Sequence, residues 1–295
     1  MEDFTLGNIR ITRVPEMINP SAAARDFFPE YEEELYNRHK HWLEPKFIDP
    51  VTQQLLIYMQ SWVIRTEKHT ILVDSCIGND KDRDGVGRFH MLNTPYLQRL
   101  KGIGVNPEDV DFVLCTHLHV DHVGWNTRLE NGRWVPTFPN AKYLMSRVEH
   151  DHWHHHAQLP DTSRRDKNIY NDSILPVVEA GLTRFIDGED AIEDRLTIHP
   201  CPGHTPGHVR LDLASLGKQA IFSGDVVQCP LQVPLWFWNS KFCIDRAQSA
   251  KSRKEVLATC AERHALFVPA HFADPFVAYI NAKGDSFELD FDVGH

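Results

Sequence analysis

THLHVDHVGW, residues 116–125, places four side chains that bind metal ions within six consecutive positions. The stretch follows VDFVLCT, a short apolar run that predicts a buried β-strand. On an extended segment the side chains of His117 and His119 leave the same face of the chain and can hold one ion. Asp121 and His122 follow after the chain has begun to turn, so they point to a second position. Four candidates exceed what one four-coordinate ion needs, which favours two metal ions.

Three further strand ends carry residues of the same kind. RLTIHP leads into CPGHTPGH, QAIFS leads into GDVV, and ALFVP leads into AHF. Layered α/β proteins place their sites in loops at strand ends, so four such ends form a stronger pattern than any one motif. Spacing does not choose among the loop histidines, and the Gly-Asp pair is also an ordinary turn pair. The candidates from these three ends are His199, His204, His208, Asp225 and His271.

Composition excludes several classes of protein. Of the 295 residues 42% are hydrophobic and 24% are charged, which is typical of a globular chain. No apolar run reaches the roughly 18 residues that cross a bilayer, and the N-terminus lacks secretory features, which predicts a cytoplasmic protein without a membrane partner. Six scattered cysteines without CxxC spacing predict reduced thiols. The formal net charge of −10 argues against a nucleic-acid partner and favours a small, uncharged or modestly polar substrate.

Strands and helices alternate along the whole chain, which predicts an α/β fold. No linker or repeat divides it, so we expect one domain over residues 1–295. Residues 1–14 predict a first strand, SWVIRT and TILVDS a hairpin, and TPYLQRLKGI a helix. Residues 15–56 mix helical and loop signals and are expected to form an N-terminal extension that covers the site or makes a homodimer contact through FFPEYEEELY.

HDHWHHH, residues 150–156, holds five of the 18 histidines. His150 and His154 are four residues apart on a predicted helix, as are His152 and His156, so ion binding is geometrically possible. We favour the interpretation that these histidines lie on a solvated helix face over one in which they line the rim of a pocket or contact a partner.

The four motifs together resemble the metallo-β-lactamase superfamily. THLHVDHVGW is similar to its signature, and CPGHTPGH, FSGDVV and VPAHF match its remaining ligand positions in order. The resemblance implies an αββα sandwich with the site at one edge. It also implies His117, His119 and His204 on one metal, Asp121, His122 and His271 on the other, and Asp225 bridging them. Asp74 resembles the family's structural aspartate, and His208 is expected to orient the loop.

Two dications that share one water would lower its pKa and make a bridging hydroxide the nucleophile, with Asp121 orienting it and passing its proton to the leaving group. Zinc is the first choice for these ligands, with Mn, Fe or Co as alternatives. The chain lacks a GxSxG elbow that would supply a serine nucleophile.

Within the superfamily, the DHVGWNT and NGRWVPTFPNAKY segments resemble the group of quorum-quenching acyl-homoserine lactonases, pyridoxolactonase-like and methyl parathion hydrolase-like enzymes. A lactone or ester is therefore the expected substrate. The lactonases are expected to carry a tyrosine where this chain has Gln228, which puts homoserine lactone specificity in doubt. Aromatic residues near the motifs suit an apolar acyl group or are core; they are Trp125, Phe138, Trp236, Phe237 and Trp238.

The alternatives on the same ligand set are an organophosphotriester hydrolase and an iron-dependent oxidoreductase of the persulfide dioxygenase type. A β-lactam hydrolase is disfavoured by the missing export signal, and a nuclease by the acidic charge. A non-catalytic dimeric binding module with a relict site is disfavoured because all seven ligand positions are filled.

Overall fold

The computed structural model describes residues 2–293. The chain forms two compact units, each assembled from separate segments. The first unit contains Asp3–Met17 and Met59–Gly188, and the second contains Ile18–Tyr58 and the chain from Glu189 onward. Both units combine strands with helices, as the sequence predicted. The expectation of one domain over residues 1–295 stays a prediction.

The first unit contains most of a seven-stranded sheet of order β1-β2-β3-β4-β5-β8-β9, and the hairpin β6–β7 forms a separate sheet. The strands are β1 Asp3–Leu6, β2 Ile9–Ala23, β3 Gln54–Arg65, β4 Thr70–Val73, β5 Phe112–Leu114, β6 Thr127–Glu130, β7 Arg133–Pro136, β8 Lys142–Ser146 and β9 Thr183–Ile186. Helix α3 Tyr96–Gly102 follows β4. β8 is followed by α4 Arg147–Gln158, α5 Arg164–Ile169, a π-helix over Tyr170–Ile174 and α6 Leu175–Glu179.

Strand direction explains where the first unit places its polar loops. β4, β5, β8 and β9 pair in parallel, so their carboxyl ends lie at one edge of the sheet. Asp74 follows β4, residues 116–125 follow β5, and Glu149 lies in the helix after β8. Apolar strand residues such as Leu72 and Val113 are completely buried beneath them.

The N-terminus differs from its prediction in detail. Residues 3–23 form two antiparallel strands, β1 and β2, with Gly7 and Asn8 between them, instead of one strand over residues 1–14. Gly7 has a φ of 60°, a conformation that glycine adopts at low cost and that lets the chain reverse. The predicted hairpin of SWVIRT and TILVDS is confirmed by the antiparallel pairing of β3 and β4.

The second unit contains a five-stranded sheet, β10-β11-β12-β13-β14, and the hairpin β15–β16. Its strands are β10 Asp190–Glu193, β11 Leu196–Pro200, β12 Val209–Ser215, β13 Lys218–Gly224, β14 Leu266–Pro269, β15 Tyr279–Lys283 and β16 Ser286–Asp290. Its helices are α1 Ala24–Phe27, α2 Glu33–Leu43 and α7 Arg246–Arg263.

β12 is antiparallel to both β11 and β13, and β13 is parallel to β14. β11, β13 and β14 therefore run in one direction and end at the same edge of the sheet. The loops after these three strands carry His204, Asp225 and His271. Strand register thus brings together residues that are far apart in the sequence.

All six cysteines are buried free thiols, as predicted. Among residues 2–293 no helix combines the length and the apolar character that crossing a membrane requires.

Candidate metal centre

The first unit holds four of the predicted ligands in one loop. Nε2 of His117 lies 3.0 Å from Nδ1 of His119, and Nε2 of His122 lies 3.7 Å from Oδ1 of Asp121. The rings of His117 and His122 are 4.0 Å apart between their centroids. His117 and His122 are buried, whereas His119 and Asp121 are partly accessible. The two pairs predicted from the spacing are therefore present within this loop.

Asp74 holds this loop in place. Its carboxylate accepts a hydrogen bond from the backbone N–H of Thr116 at 2.8 Å, and its Oδ2 lies 2.8 Å from Nδ1 of His122. A hydrogen bond from Nδ1–H to the carboxylate leaves Nε2 of His122 as the nitrogen that can bind a metal. Asp74, which resembles the family's structural aspartate, thus orients the predicted ligand His122.

Helix α4 supports the same loop through two residues that the sequence analysis missed. Glu149, which is 1% exposed, accepts hydrogen bonds from the backbone N–H of Leu118 at 3.1 Å and from the indole of Trp153 at 2.6 Å. The Trp153 ring in turn packs edge-on against His119, with centroids 5.3 Å apart. The signal was a glutamate and a tryptophan four residues apart in α4, among conspicuous histidines.

Within HDHWHHH, His150 and His154 contact Tyr170, and His152 contacts His156. Tyr170 Oη lies 2.8 Å from Nδ1 of His154 and 3.2 Å from Nε2 of His150. His150 and His154 are stacked, as are His152 and His156. Parallel rings do not point their nitrogens at one common position, so this geometry does not favour a metal site on α4. The helix contacts the 116–125 loop through Glu149 and Trp153 instead.

Glu16 is a buried carboxylate that sequence reasoning did not find. It accepts hydrogen bonds from the backbone N–H of Ile77 at 2.8 Å and of Gly78 at 3.2 Å, and from the Trp125 indole at 2.7 Å. Burial raises the pKa of Glu16, and these donors oppose that shift. It lies 109 residues from Trp125, and no local pattern marks it.

Close backbone contact fixes the end of the 116–125 loop. Gly124 lies against Ile77 and Gly78 so tightly that a Cβ there would be 1.8 Å from the Ile77 carbonyl oxygen. The backbone N–H of Gly124 donates to the carbonyl of Cys76 at 2.7 Å. Only glycine fits at this position.

The second unit holds the other three predicted ligands around one carboxylate. Oδ2 of Asp225 lies 3.3 Å from Nε2 of His204, and Oδ1 lies 2.9 Å from Nε2 of His271. All three side chains are at most 3% exposed. Each carboxylate oxygen of Asp225 thus faces a different histidine. The alternative of a simple turn aspartate does not account for these two contacts.

The remaining histidines of this unit have other neighbours. His208 Nε2 accepts the backbone N–H of Asp225 at 3.0 Å, which orients the aspartate's loop. His199 is partly exposed, and its ring nitrogens lie near Glu189 and Thr197. Among His199, His204 and His208, the ring that faces the Asp225 carboxylate is therefore that of His204.

The loop that carries His204 packs on the N-terminus of α7. Gly203 has a φ of 129°, and a Cβ there would lie 2.2 Å from the backbone nitrogen of Ser249. The carbonyls of Gly203 and His204 accept the backbone N–H groups of Asp245 and Ile244 at 2.9 and 3.0 Å. These bonds fix the loop from both sides of the histidine.

Three groups that are not carboxylates orient the predicted ligands of the second unit. The ring nitrogen Nδ1 of His271 lies 2.9 Å from the carbonyl oxygen of Tyr58, so its N–H donates there. Gln228 donates from Nε2 to Oδ2 of Asp225 at 2.7 Å. Sγ of Cys243 lies 3.4 Å from Nδ1 of His204. Burial by itself raises the pKa of the Cys243 thiol, but the hydrogen bond and charge of His204 outweigh it and lower the pKa to about 6.

The donor set fits divalent metal ions. Imidazole nitrogen and carboxylate oxygen are the ligands that zinc prefers, and bonds of about 2.0–2.1 Å in a tetrahedron separate neighbouring ligand atoms by roughly 3.3 Å. The separations of 3.0 Å for His117–His119 and 3.3 Å for His204–Asp225 lie close to this spacing. The His and Asp side chains of each unit thus have the donor chemistry that suits such an ion.

The five aromatic residues divide into two groups. Trp125, Phe138 and Trp238 are buried core residues. Phe237 is exposed, and Trp236 is partly exposed beside Lys254, whose Nζ lies 4.3 Å from its ring centroid. Phe237 and Trp236 are thus the two of the five with accessible side chains.

Comparison with known proteins identifies the family. The sequence profile of the metallo-beta-lactamase superfamily matches residues 59–271, which is more than half of the chain. The protein therefore belongs to the metallo-beta-lactamase superfamily, and the predicted fold is confirmed.

Curated relatives include N-acyl homoserine lactonases. The AttM lactonase of Rhizobium radiobacter is 31% identical over 121 residues, covering 39% of this chain and 40% of the relative. The AttM lactonase of Azorhizobium caulinodans is 28% identical over 194 residues, covering 63% and 67%. The chain spans about two fifths of the length of the first curated relatives that it matches.

Solved structures extend the similarity over nearly the whole chain. The hydrolase AbOPH of the beta lactamase superfamily superposes with a TM-score of 0.81 at 22% identity, covering 98% of this chain and 96% of that one. AidC, a dizinc quorum-quenching lactonase in complex with a product, gives 0.79 at 20% identity, covering 97% and 95%. At these identities the likeness concerns the fold.

Proposed function

We propose that the protein is a dinuclear metal-dependent hydrolase that opens a lactone or an ester. The observation that carries this proposal is the geometry of Asp225, whose two oxygens face His204 and His271 separately. A carboxylate arranged in this way is suited to bridge two ions. One ion would be held by His117, His119 and His204, and the other by Asp121, His122 and His271.

When bound, two divalent ions supply a water of lowered pKa and polarise the substrate's carbonyl oxygen. Asp121 accepts the proton of the attacking water and returns it to the leaving oxygen. This role suits Asp121 because it is the partly accessible carboxylate of the first cluster, while Asp225 is buried. His122 and His271 keep their Nε2 atoms in place because Asp74 and the Tyr58 carbonyl hold the opposite ring nitrogens.

A lactone or ester substrate is supported by the N-acyl homoserine lactonases among the relatives. Gln228 argues against assuming a homoserine lactone, because its amide donates to Asp225 and lacks the acidity of a phenol. Trp236 and Phe237 offer apolar surface for an acyl or aryl group. Zinc is the proposed metal, with Mn, Fe or Co as alternatives.

The proposal is tested by elemental analysis of protein purified without added metal, together with a hydrolysis screen. The screen contains aromatic lactones, aryl esters, an N-acyl homoserine lactone and an organophosphotriester. We expect about two ions per chain with lactone or ester turnover. Turnover of the phosphotriester alone would support the organophosphotriester alternative, and a single iron with oxygen uptake and no hydrolysis would support the oxidoreductase.

A pair of variants sharpens the test. His271→Gln removes a ring that faces Asp225, so it should lower the metal content to about one ion and abolish most hydrolysis. His199→Gln is the matched control, because His199 lies near Glu189 and Thr197 instead. Equal metal content in the two variants would contradict the assignment of His271.

A cytoplasmic homodimer completes the proposal. Phe27 and Phe28 are buried, and Phe28 packs on Trp238 within the same unit. A dimer contact through residues 15–56 would therefore use exposed neighbours such as Glu33 and Glu34. Light scattering that detects only the 34.0 kDa species would refute the homodimer.

A further inference from the structure

Cys243 lies against the side of the His204 ring that faces away from Asp225. Its Sγ is 3.4 Å from Nδ1, while Nε2 of the same ring is 3.3 Å from Oδ2 of Asp225. A histidine that binds a metal through Nε2 carries its proton on Nδ1, and the group bonded to Nδ1 sets the tautomer and the ring orientation. If His204 binds a metal through Nε2, its Nδ1–H group therefore donates to the sulfur of Cys243.

The sulfur is itself held by buried neighbours. Oγ of Ser249 lies 3.3 Å from Sγ, and Oγ of Ser240 lies 3.5 Å from it. The guanidinium of Arg253, which is completely buried, donates to Ser249 Oγ at 3.0 Å. The position of Cys243 is thus defined by contacts from α7 and from the segment before it.

Arg253 also contacts the loop of the other ligand. Its Nε donates to the carbonyl of Val226, the residue after Asp225, at 2.7 Å. The same side chain donates to the carbonyls of Trp236 and Trp238 at 2.7 and 2.9 Å. A continuous set of hydrogen bonds therefore joins Cys243 to the backbone beside Asp225.

We infer that Cys243 is a positioning residue, which holds the His204 imidazole in the Nδ1–H tautomer with Nε2 directed at the metal. The inference rests on the proposed function, in which His204 is a metal ligand. It assigns to this thiol a role that carboxylates and backbone carbonyls fill elsewhere in the protein, at Asp74 for His122 and at Tyr58 for His271.

The test compares Cys243→Ala, Cys243→Ser and Cys260→Ala in the full-length protein. Alanine removes the acceptor, serine retains one, and Cys260 is a completely buried thiol of α7 that serves as the control for losing a buried sulfur. Zinc affinity is measured by competition with a chelator. We expect C243A to bind zinc about 10–100-fold more weakly than the wild type, with C243S and C260A close to the wild-type value.

A second readout does not depend on bound metal. Ring ¹⁵N shifts of His204 in the metal-free chain should show the Nδ1–H tautomer in the wild type and in C243S, and a mixture of tautomers in C243A. Equal zinc affinity of C243A and C260A, with an unchanged tautomer, would overturn the inference and leave the proposed function standing. A wild-type protein without metal would overturn the proposed function, and the His204 shifts would then decide the role of Cys243.

Discussion

The two ligand clusters are built in opposite ways. In the first unit four proposed ligands come from six consecutive residues, whereas in the second unit three proposed ligands come from three strand ends. Buried carboxylates, Asp74 and Glu149, hold the first cluster through hydrogen bonds. Groups other than carboxylates hold the second, and they are the Tyr58 carbonyl, the Gln228 amide and the Cys243 sulfur.

This difference shows two routes to the same kind of site. A contiguous cluster is visible in one sequence motif, but hydrogen-bond acceptors from other elements are needed to orient its histidine rings. A dispersed cluster depends on strand register. β11, β13 and β14 run in one direction, so the loops that follow them and carry His204, Asp225 and His271 lie at the same edge of the sheet. The comparison implies that changes to acidic groups that orient the proposed ligands affect the first cluster more than the second.

The largest effect is expected for Asp121→Asn in the first cluster. An amide cannot accept and return a proton, so kcat should fall by about 10²–10⁴-fold while the fold is retained. Asp151→Asn on α4 is the matched control, since that carboxylate is exposed beside His150. Steady-state hydrolysis and circular dichroism measure both effects. Unchanged activity in the Asp121 variant would remove the proposed proton transfer.

A smaller effect, on metal affinity, is expected when the side chains that orient the proposed ligands of each cluster are replaced. Asp74→Asn replaces the carboxylate beside His122 and should weaken metal binding by about 10–100-fold. Gln228→Ala should cost less, because removing the amide leaves both oxygens of Asp225 available to metal. Chelator competition on both variants gives the order, and a larger loss for Gln228→Ala would reverse the comparison.

The smallest effect concerns the pH dependence of stability. Burial raises the pKa of Glu16, so the folded chain binds this proton more tightly than the unfolded chain does. Its contribution to the free energy of unfolding is therefore fully present below the ordinary carboxyl pKa of about 4.3 and is lost as pH rises through the raised value.

Urea denaturation of the wild type and of Glu16→Gln at several pH values tests this sign. The stability of the wild type relative to the variant should decline as pH rises through that window and then stay constant. Glu130→Gln is a control because Glu130 is exposed. A relative stability that increases with pH would mean that the N–H donors of Ile77, Gly78 and Trp125 outweigh burial.

The sequence predicted the parts of the site that are local or follow strand ends. The 116–125 motif, the strands before His204, Asp225 and His271, and the hairpin at residues 61–75 follow from periodicity and turn residues. The choice of His204 over His199 and His208 came from resemblance to a family, because three histidines within ten residues cannot be distinguished by spacing alone.

The supporting residues could not be predicted in this way. Glu16 contacts an indole 109 residues away, and Cys243 contacts a histidine 39 residues away. Such pairs depend on how strands and helices pack, and neither residue has a distinctive neighbour pattern. Glu149 lies next to the conspicuous segment 150–156, but the five histidines there drew attention to metal binding by α4 and not to its contact with the 116–125 loop.

The contact between Gly124 and Ile77 has a practical consequence for redesign of this protein. Gly124 has no chemical role, yet a mutational scan should find it as intolerant as a metal ligand, because even alanine would collide with the Ile77 carbonyl. A library for altered substrate preference should therefore keep Gly78 and Gly124 constant. Diversity belongs at exposed apolar positions such as Phe237 and Phe242, where side chains can change size without displacing backbone.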